Sequence, residues 1–200
     1  MADNPWDIRK PSDKGDVKPD TIFTSVGYAL TEWEQVENEC ARLFAVFVSA
    51  QQRRTYEAPA LRAFGCVISS RTRCDMLRMA AAAYFVKRPK KKRFHGDQFD
   101  KLMKAYVGYG DRRNEIAHGR VQNVLLTERR SKRGHRLPAL GFYLLPSFYN
   151  PKKFKGHTFT YRYTATDVLY YAQEFTKLHL RISGIRELMS RGWMPRVRRS

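Results

Sequence analysis

The sequence predicts a mainly α-helical protein: an up-down helical bundle with a small antiparallel β meander inserted before the C-terminal helix. Over most of the 200 residues, apolar side chains recur at three- and four-residue spacing, which is the period of a helix with one buried face. From about residue 120 to residue 164 the period changes to two, which is typical of half-buried strands. A chain of this length can bury a core as a single domain.

The first helix is predicted from about Ser25 to Ala50, and its apolar stripe contains one carboxylate. The stripe consists of Leu30, Trp33, Glu37, Cys40, Phe44 and Phe47. A carboxylate that faces a core needs a partner, because removing it alone from water is expensive. Glu37 is therefore expected either to reach water at the edge of the stripe or to be buried with Arg113 and His118 as its partners.

A second helix is predicted from Pro59 to Val86, since proline suits the first turn of a helix. Its predicted apolar face consists of Leu61, Phe64, Ile68, Thr72, Met79 and Ala82, with Asp75 on the same face. The run from Lys87 to Arg93 then holds six cations and one proline. Because like charges and proline disfavour a helix, this run is predicted to be an exposed loop. A third helix is predicted from about Gln98 to His118.

The segment after Gly119 predicts strands. Two apolar runs, Val121–Thr127 and Leu137–Leu145, flank a basic turn, and a strictly alternating run follows over Thr158–Thr164. Together they predict an antiparallel insertion over about residues 120–164. Thr164 or Thr166 can N-cap the last helix.

The ends of the chain differ in composition from its middle. Residues 1–20 carry prolines and alternating charges, which predicts a flexible arm. Residues 21–190 are predicted to form one domain, and residues 191–200 a basic tail. The first 20 residues lack the apolar segment of a signal peptide, and no run approaches the roughly 18 apolar residues of a membrane span. The three cysteines lack metal-ligand spacing, so we expect free thiols, a cytoplasmic protein, and no metal or cofactor.

The net charge indicates a polyanionic partner. With 38 basic and 19 acidic residues the charge is +19, and such a field attracts nucleic acid or an anionic membrane. An alternative is that the charge only keeps the protein soluble. The side chains predicted to contact phosphates are Lys87, Arg88, Lys90, Lys91, Lys92, Arg93, Arg129, Arg130, Lys132 and Arg133. Such contacts are independent of base sequence and strongly salt-dependent. An alternative for the first six is a solvated linker.

The stretch from Gly110 to Gly119 holds the candidate site. Asn114 and His118 are four residues apart, so they share one face of a helix. Arg113 and His118 are five apart, about 140° around an ideal helix and roughly 7.5 Å along it. They do not converge on one atom unless the helix end unwinds or a second copy of the chain contributes. Gly119 is predicted to be a left-handed C-cap.

The string Arg113-Asn114-x-x-Ala117-His118-Gly119 resembles the Arg-x4-His signature of the HEPN superfamily. The resemblance implies a small helical bundle that dimerises, with an active site across the two-fold axis and metal-independent ribonuclease activity. It also implies RNA as substrate, a toxin or anti-phage role, and a possible antitoxin. Arg120 stands where several HEPN toxins carry a tyrosine, which weakens assignment to that toxin subgroup.

The residue types suit RNA cleavage without a metal. His118 can act as base or acid near neutral pH. Arg113 can clamp a phosphate through bidentate hydrogen bonds. Asn114 can orient the imidazole or bind substrate, and Glu37 is a further candidate catalytic residue. A structural alternative remains: a histidine at a helix C-terminus interacts favourably with the helix dipole, and an Arg113–Glu37 pair could be a core ion pair. On that interpretation the protein is a non-catalytic RNA-binding or dimerisation module.

Overall fold

The structure is a computed structural model that describes residues 4–49, 57–124, 126–130, 136–139, 141–147, 154–155 and 158–190. Its helices are α1 (Pro19–Val48), α2 (Glu57–Gly65), α3 (Ser70–Val86), α4 (Pro89–Ala117) and α5 (Ala165–Ser190). Its strands are β1 (Arg120–Asn123), β2 (Leu126–Arg130), β3 (Arg136–Ala139), β4 (Phe142–Leu145), β5 (Phe154–Lys155) and β6 (Thr158–Phe159). The predicted class, mainly helical with antiparallel strands before the last helix, is confirmed. The HEPN-like bundle stays a prediction.

The chain groups into two compact units, and the single domain over residues 21–190 stays a prediction. Unit 1 combines residues up to Trp33 with Asp111–Phe175. Unit 2 combines Glu34–Gly110 with the residues from Thr176 onward. Three helices, α1, α4 and α5, therefore contribute one part to each unit.

The strands of unit 1 pair in a nested order rather than in the sequential order of a meander. β1 pairs antiparallel with β4, and β2 pairs with β3 between them along the chain. A separate short pair joins β5 and β6. Tyr163 forms a further antiparallel bridge to Leu144, with both main-chain hydrogen bonds made. This bridge connects the start of the last helix to β4.

The N-terminal segment, predicted to be a flexible arm, makes specific contacts within unit 1. Asp16 and Phe142 exchange both main-chain hydrogen bonds, at 2.9 and 2.8 Å. Beside them the backbones of Gly15 and Gly141 touch, and a Cβ built on Gly141 would lie 2.6 Å from the Gly15 Cα. Gly141 also has a φ of 147°, so both the space and the conformation require glycine there.

Thr164 is the N-cap of α5, as one of the two predicted alternatives stated. The Thr164 amide and hydroxyl both donate to the Asp167 carboxylate, at 3.0 and 2.8 Å, and the Asp167 amide donates back to the hydroxyl. This reciprocal pattern is a capping box. The Ala165 amide donates to the Asp16 carboxylate at 2.7 Å, so the N-terminal segment satisfies another free amide of the helix.

In unit 2 the predicted second helix is two helices. α2 ends at Gly65, and α3 begins after Ser69, whose hydroxyl accepts from the Thr72 amide. The interruption changes the helical phase, so the predicted apolar face was wrong beyond it: Ile68 is 95% exposed and Met79 70% exposed. The buried residues of α3 are Cys74, Leu77, Ala81, Tyr84 and Phe85.

The basic run was also predicted wrongly, because α4 begins at Pro89 and not near Gln98. Pro89 occupies the first helical position, where a missing amide costs nothing. The Lys91 ammonium donates to the main-chain carbonyls of Leu188 and Met189 at the end of α5, the second at 2.8 Å. Carbonyls about 97 residues away thus bind one of the ammonium groups whose repulsion was expected to prevent a helix.

Candidate functional site

The predicted site residues lie at the C-terminal end of α4, in unit 1. Arg113 and Asn114 belong to the last turns of the helix, and His118 is the first residue beyond it. The His118 amide still donates to the Asn114 carbonyl at 3.1 Å, which continues the helical hydrogen-bond ladder by one residue. Asn114 and His118 are exposed, while Arg113 is half-buried. All three side chains are therefore within reach of a ligand in solution.

Arg113 is oriented by its neighbour. One terminal nitrogen, Nη1, donates to the Asn114 side-chain oxygen at 3.2 Å. The Nε of Arg113 is buried and has no hydrogen-bond partner among the described residues. An arginine that makes this single described hydrogen bond keeps further N–H groups that can donate to an anion. The His118 imidazole likewise makes no hydrogen bond within the described part of the chain.

Gly119 is required at the end of α4 for a different reason than predicted. It is not in the left-handed conformation, since Gly141 is the positive-φ glycine among the described residues. A Cβ on Gly119 would lie 2.7 Å from the Leu144 side chain and 2.8 Å from the Glu115 carbonyl. The prediction of a left-handed C-cap was wrong. Glycine instead lets the chain leave the helix against β4 and enter β1 at once.

A buried ion pair lies next to the predicted site residues. The Arg112 guanidinium contacts the Glu115 carboxylate at 3.2 Å, with side-chain exposures of 10% and 2%. The Tyr163 hydroxyl donates to the same carboxylate at 2.6 Å, and the Tyr161 hydroxyl donates to the Glu115 main-chain carbonyl at 3.2 Å. We call these four residues the Glu115 network. It binds the end of α4 to the chain before α5, and so holds the backbone that carries Asn114 and His118.

The two tyrosines of the Glu115 network are held in the neutral form. Burial, and next the negative charge of Glu115, raises the pKa of Tyr163 and the pKa of Tyr161 well above the ordinary value. A neutral hydroxyl is the form that donates a hydrogen bond to a carboxylate or carbonyl. Both hydrogen bonds therefore persist across the neutral pH range.

Glu37 is buried, in unit 2, with partners that sequence reasoning did not name. Its carboxylate contacts Arg73 of α3 at 2.7 Å and accepts from the Tyr106 hydroxyl of α4 at 3.0 Å. The Ser70 hydroxyl lies at 3.4 Å. We call these four residues the Glu37 network. The predicted pairing of Glu37 with Arg113 and His118, which belong to unit 1, stays a prediction.

The Glu37 network also shifts ionisation at its neighbours. Burial, and next the neighbouring Cys40 and Glu37 side chains, raises the pKa of Tyr106 well above the ordinary value. Burial and the Glu37 charge raise the pKa of the Cys40 thiol as well. Cys40 is therefore kept as a neutral thiol, which is a poor nucleophile.

The predicted phosphate-binding cations divide into two groups. Lys87, Lys90, Lys92 and Arg93 are exposed, in the turn before α4 and in its first turns. Arg88 instead lies over the Tyr84 ring, with 4.3 Å from the guanidinium carbon to the ring centroid. Lys91 donates to the end of α5, as described above. The exposed four are thus the free cations of this run.

The second predicted basic cluster is described only in part. Arg129 and Arg130 lie in β2, where their backbones pair with Leu137 and Arg136 of β3. Lys132 and Arg133 lie outside the described residues.

Sequence reasoning located the motif but missed the Glu115 network. One signal was present: Arg112 and Glu115 are three residues apart, which suits an ion pair on one helix face. The alternating Tyr161 and Tyr163 gave no indication of their partner, which lies 48 residues before Tyr163.

In the described ranges, no group of three or more His, Cys, Asp and Glu side chains could hold a metal ion. None of the helices with described placement combines the length and apolar character needed to cross a membrane.

Comparison of the sequence with protein-family models finds no match, and comparisons with curated proteins and with solved structures find no significant match. The resemblance to the HEPN superfamily therefore rests on the motif at the end of α4.

Proposed function

We propose that the protein is a metal-independent endoribonuclease of the HEPN type that acts as a homodimer. The observation that carries the proposal is the end of α4. There the Arg113-Asn114-x-x-Ala117-His118-Gly119 motif carries an Arg113–Asn114 pair four to five residues before an exposed His118. The charge of +19 favours RNA as the substrate, because a basic surface attracts phosphates.

Each side chain has a chemical role in the proposed reaction. A neutral His118 accepts the proton of the ribose 2′-hydroxyl, and the 2′-oxygen attacks phosphorus. Arg113 binds the phosphate oxygens on which negative charge accumulates. The bond from phosphorus to the 5′-oxygen breaks, and the protonated His118 gives the proton it accepted to that oxygen. The products are a 2′,3′-cyclic phosphate and a 5′-hydroxyl.

Helix geometry supports the proposed homodimer. Side chains five residues apart on a helix point about 140° away from each other, and Arg113 lies within the helix while His118 follows it directly. Two copies related by a two-fold axis could supply Arg113 and His118 to one phosphate from opposite sides. Asn114 orients Arg113 through the 3.2 Å hydrogen bond.

A cellular role follows from the same resemblance. We propose a toxin or anti-phage defence enzyme of the cytoplasm, which an antitoxin holds inactive or a trigger activates. The free thiols of Cys40, Cys66 and Cys74 support a reducing compartment.

A second candidate function is a non-catalytic RNA-binding module. It is favoured by the exposed cations Lys87, Lys90, Lys92 and Arg93, which suit phosphate contacts without any cleavage chemistry. On this alternative, His118→Ala leaves every RNA-related property unchanged.

The test is cleavage of end-labelled RNA in the presence of EDTA. Wild type is expected to cut and to leave 2′,3′-cyclic phosphate ends. His118→Ala and Arg113→Ala should each lower the rate by about a hundred-fold to ten-thousand-fold, as expected for loss of an acid-base group or a charge-stabilising group. Arg71→Ala removes an exposed arginine of α3 and should retain full activity. Absence of cleavage by folded wild type that still binds RNA would select the non-catalytic module.

A further inference from the structure

An aromatic ring on the basic part of α4 is left uncovered. Phe94 is 69% exposed, whereas Phe99 of the same helix is 3% exposed and packs against Phe47 and Phe85. One exposed apolar side chain is common on protein surfaces. Phe94 differs from such a case in the charges that surround it.

Cations dominate the exposed surface around Phe94. Between residues 87 and 104 the exposed charged side chains are the cations Lys87, Lys90, Lys92, Arg93, Lys101 and Lys104 and the acids Asp97 and Asp100. On an ideal helix, Lys90 and Lys101 lie within about 40° of Phe94, about 6 Å before it and about 10 Å after it. The ring is therefore flanked along the helix by two ammonium groups.

We propose that Phe94 is a stacking platform for a base of single-stranded RNA, with Lys90 and Lys101 bound to phosphates on either side. The inference rests on the proposed function and names single-stranded RNA as the substrate class. An exposed ring with flanking cations is the combination that binds single strands, since every base has an aromatic face and every nucleotide a phosphate.

The same arrangement discriminates against a duplex. Bases of an RNA duplex are stacked inside the helix and offer no free face to Phe94. The phosphates of a duplex remain accessible to Lys90 and Lys101, so these cations do not discriminate between the two forms. Selectivity for single strands is thus assigned to the ring, and the salt dependence of binding to the lysines.

The experiment measures fluorescence anisotropy of labelled RNA in the His118→Ala background, so that no RNA is cut. The ligands are a single strand of about 12 nucleotides, a typical site size, and a duplex of equal length. Phe94→Ala should weaken binding of the single strand by about five-fold to a hundred-fold, the range seen when a stacking aromatic is removed, and should leave duplex binding within two-fold. Phe94→Trp should retain affinity, and its fluorescence should be quenched by the single strand.

Two further variants make the assignment specific. Lys90→Gln should weaken both ligands and lower the salt slope by about 0.7 for the single strand. Met79→Ala is the matched control, because Met79 is 70% exposed in the same unit, and it should change nothing. Thermal unfolding verifies that each variant is folded.

Several results would overturn the proposal. These are equal weakening of single strand and duplex by Phe94→Ala, and no weakening of either. If Phe94→Ala no longer floats with phosphatidylcholine–phosphatidylserine vesicles while its RNA binding is intact, the ring belongs to a lipid-binding surface. Dissociation of a dimer by Phe94→Ala in sedimentation would assign it to a second copy.

The outcome for Phe94 is separable from the outcome for the ribonuclease. Wild type that binds single strands through Phe94 but cleaves nothing in EDTA would remove the ribonuclease and keep the stacking site. Cleavage with the same KM in wild type and Phe94→Ala would remove the stacking site and keep the ribonuclease.

Discussion

Two of the carboxylates that are buried in the described part of the chain, Glu115 and Glu37, are held in different ways. In unit 1, Glu115 pairs with Arg112 three residues earlier on the same helix, and tyrosines 161 and 163 add hydrogen bonds. In unit 2, Glu37 of α1 pairs with Arg73 of α3 and with Tyr106 of α4. The Glu37 network therefore connects three helices, whereas the Glu115 network holds one helix end against the chain that follows β6.

This difference separates stability from function. Asn114, adjacent to Glu115, and His118, three residues after it, share its short segment of backbone, so any disturbance of the Glu115 network reaches the proposed active site. Glu37 makes its described contacts with residues that have no role in the proposed reaction. These contacts support a structural role for Glu37 and give no support to its predicted role in catalysis.

The largest expected effect is the loss of a buried charge partner. Glu115→Ala leaves Arg112 buried without its carboxylate, and such a change costs about 3–5 kcal/mol. Glu37→Ala should cost about 3 kcal/mol, because the Arg73 side chain is 19% exposed and that of Arg112 only 10%. Urea unfolding measures both values. A smaller cost for Glu115→Ala than for Glu37→Ala would contradict this order.

The effects of the two networks on RNA cleavage are tested with milder variants. Glu115→Gln and Glu37→Gln keep the shape of each side chain and remove its charge. Measured at a temperature where both are folded, Glu37→Gln should cleave RNA within about two-fold of wild type, whereas Glu115→Gln should be at least about ten-fold slower, because small misplacements of catalytic groups are costly. A strong loss of activity in Glu37→Gln, with the fold intact, would instead support the predicted catalytic role of Glu37.

A smaller effect is expected from the tyrosine hydroxyls. Tyr163→Phe and Tyr106→Phe each remove one donor to a buried carboxylate, which is worth about 1.5–3 kcal/mol for a hydrogen bond to a charged group. The two costs should be similar, since each hydroxyl donates to its own buried carboxylate, Tyr163 at 2.6 Å and Tyr106 at 3.0 Å. Thermal unfolding measures them. Only Tyr163→Phe should also lower the rate of RNA cleavage; an equal reduction by both would remove the functional distinction between the networks.

The buried tyrosines Tyr106, Tyr161 and Tyr163 predict a loss of stability in alkali. Their pKa values are raised in the folded protein above the ordinary 10.0, so above that pH the unfolded chain releases protons that the folded protein retains. The contribution of these tyrosines to the free energy of unfolding should therefore be fully present below pH 10.0. Above that pH it should fall by about 1.4 kcal/mol per pH unit for each such tyrosine. Phenolate absorbance should appear together with unfolding, and Tyr163→Phe should flatten the slope. Phenolate formation well before unfolding would contradict the account.

The sequence was sufficient for the elements whose signals are local. The stripe of α1, the Thr164 cap of α5 and the change of period near residue 120 each depend on neighbours within a few residues, and each led to the correct element. The start of α4 was not predictable in this way, because Lys91 bonds to carbonyls of α5. The interruption before Ser70 changed which side of α3 is buried.

The candidate site shows the same division. The motif predicted Arg113, Asn114 and His118, which lie in the last turns of α4 and directly after it, and their roles in catalysis stay a prediction. The tyrosine partners of the two carboxylates could not be predicted from local spacing, since Tyr106 lies 69 residues from Glu37. Gly119 was recognised as important, but its reason is the packing of Leu144 and not a left-handed conformation.

The most direct test of the proposed site uses mixed dimers. Arg113→Ala and His118→Ala chains are co-expressed with different affinity tags, and dimers that carry both tags are purified and assayed for RNA cleavage in EDTA. Each variant alone should be inactive. A mixed dimer keeps one Arg113 and one His118 on different copies, so it should recover up to about half of wild-type activity, as a two-fold symmetric site requires. Inactive mixed dimers beside an active wild type would contradict a site shared between two copies.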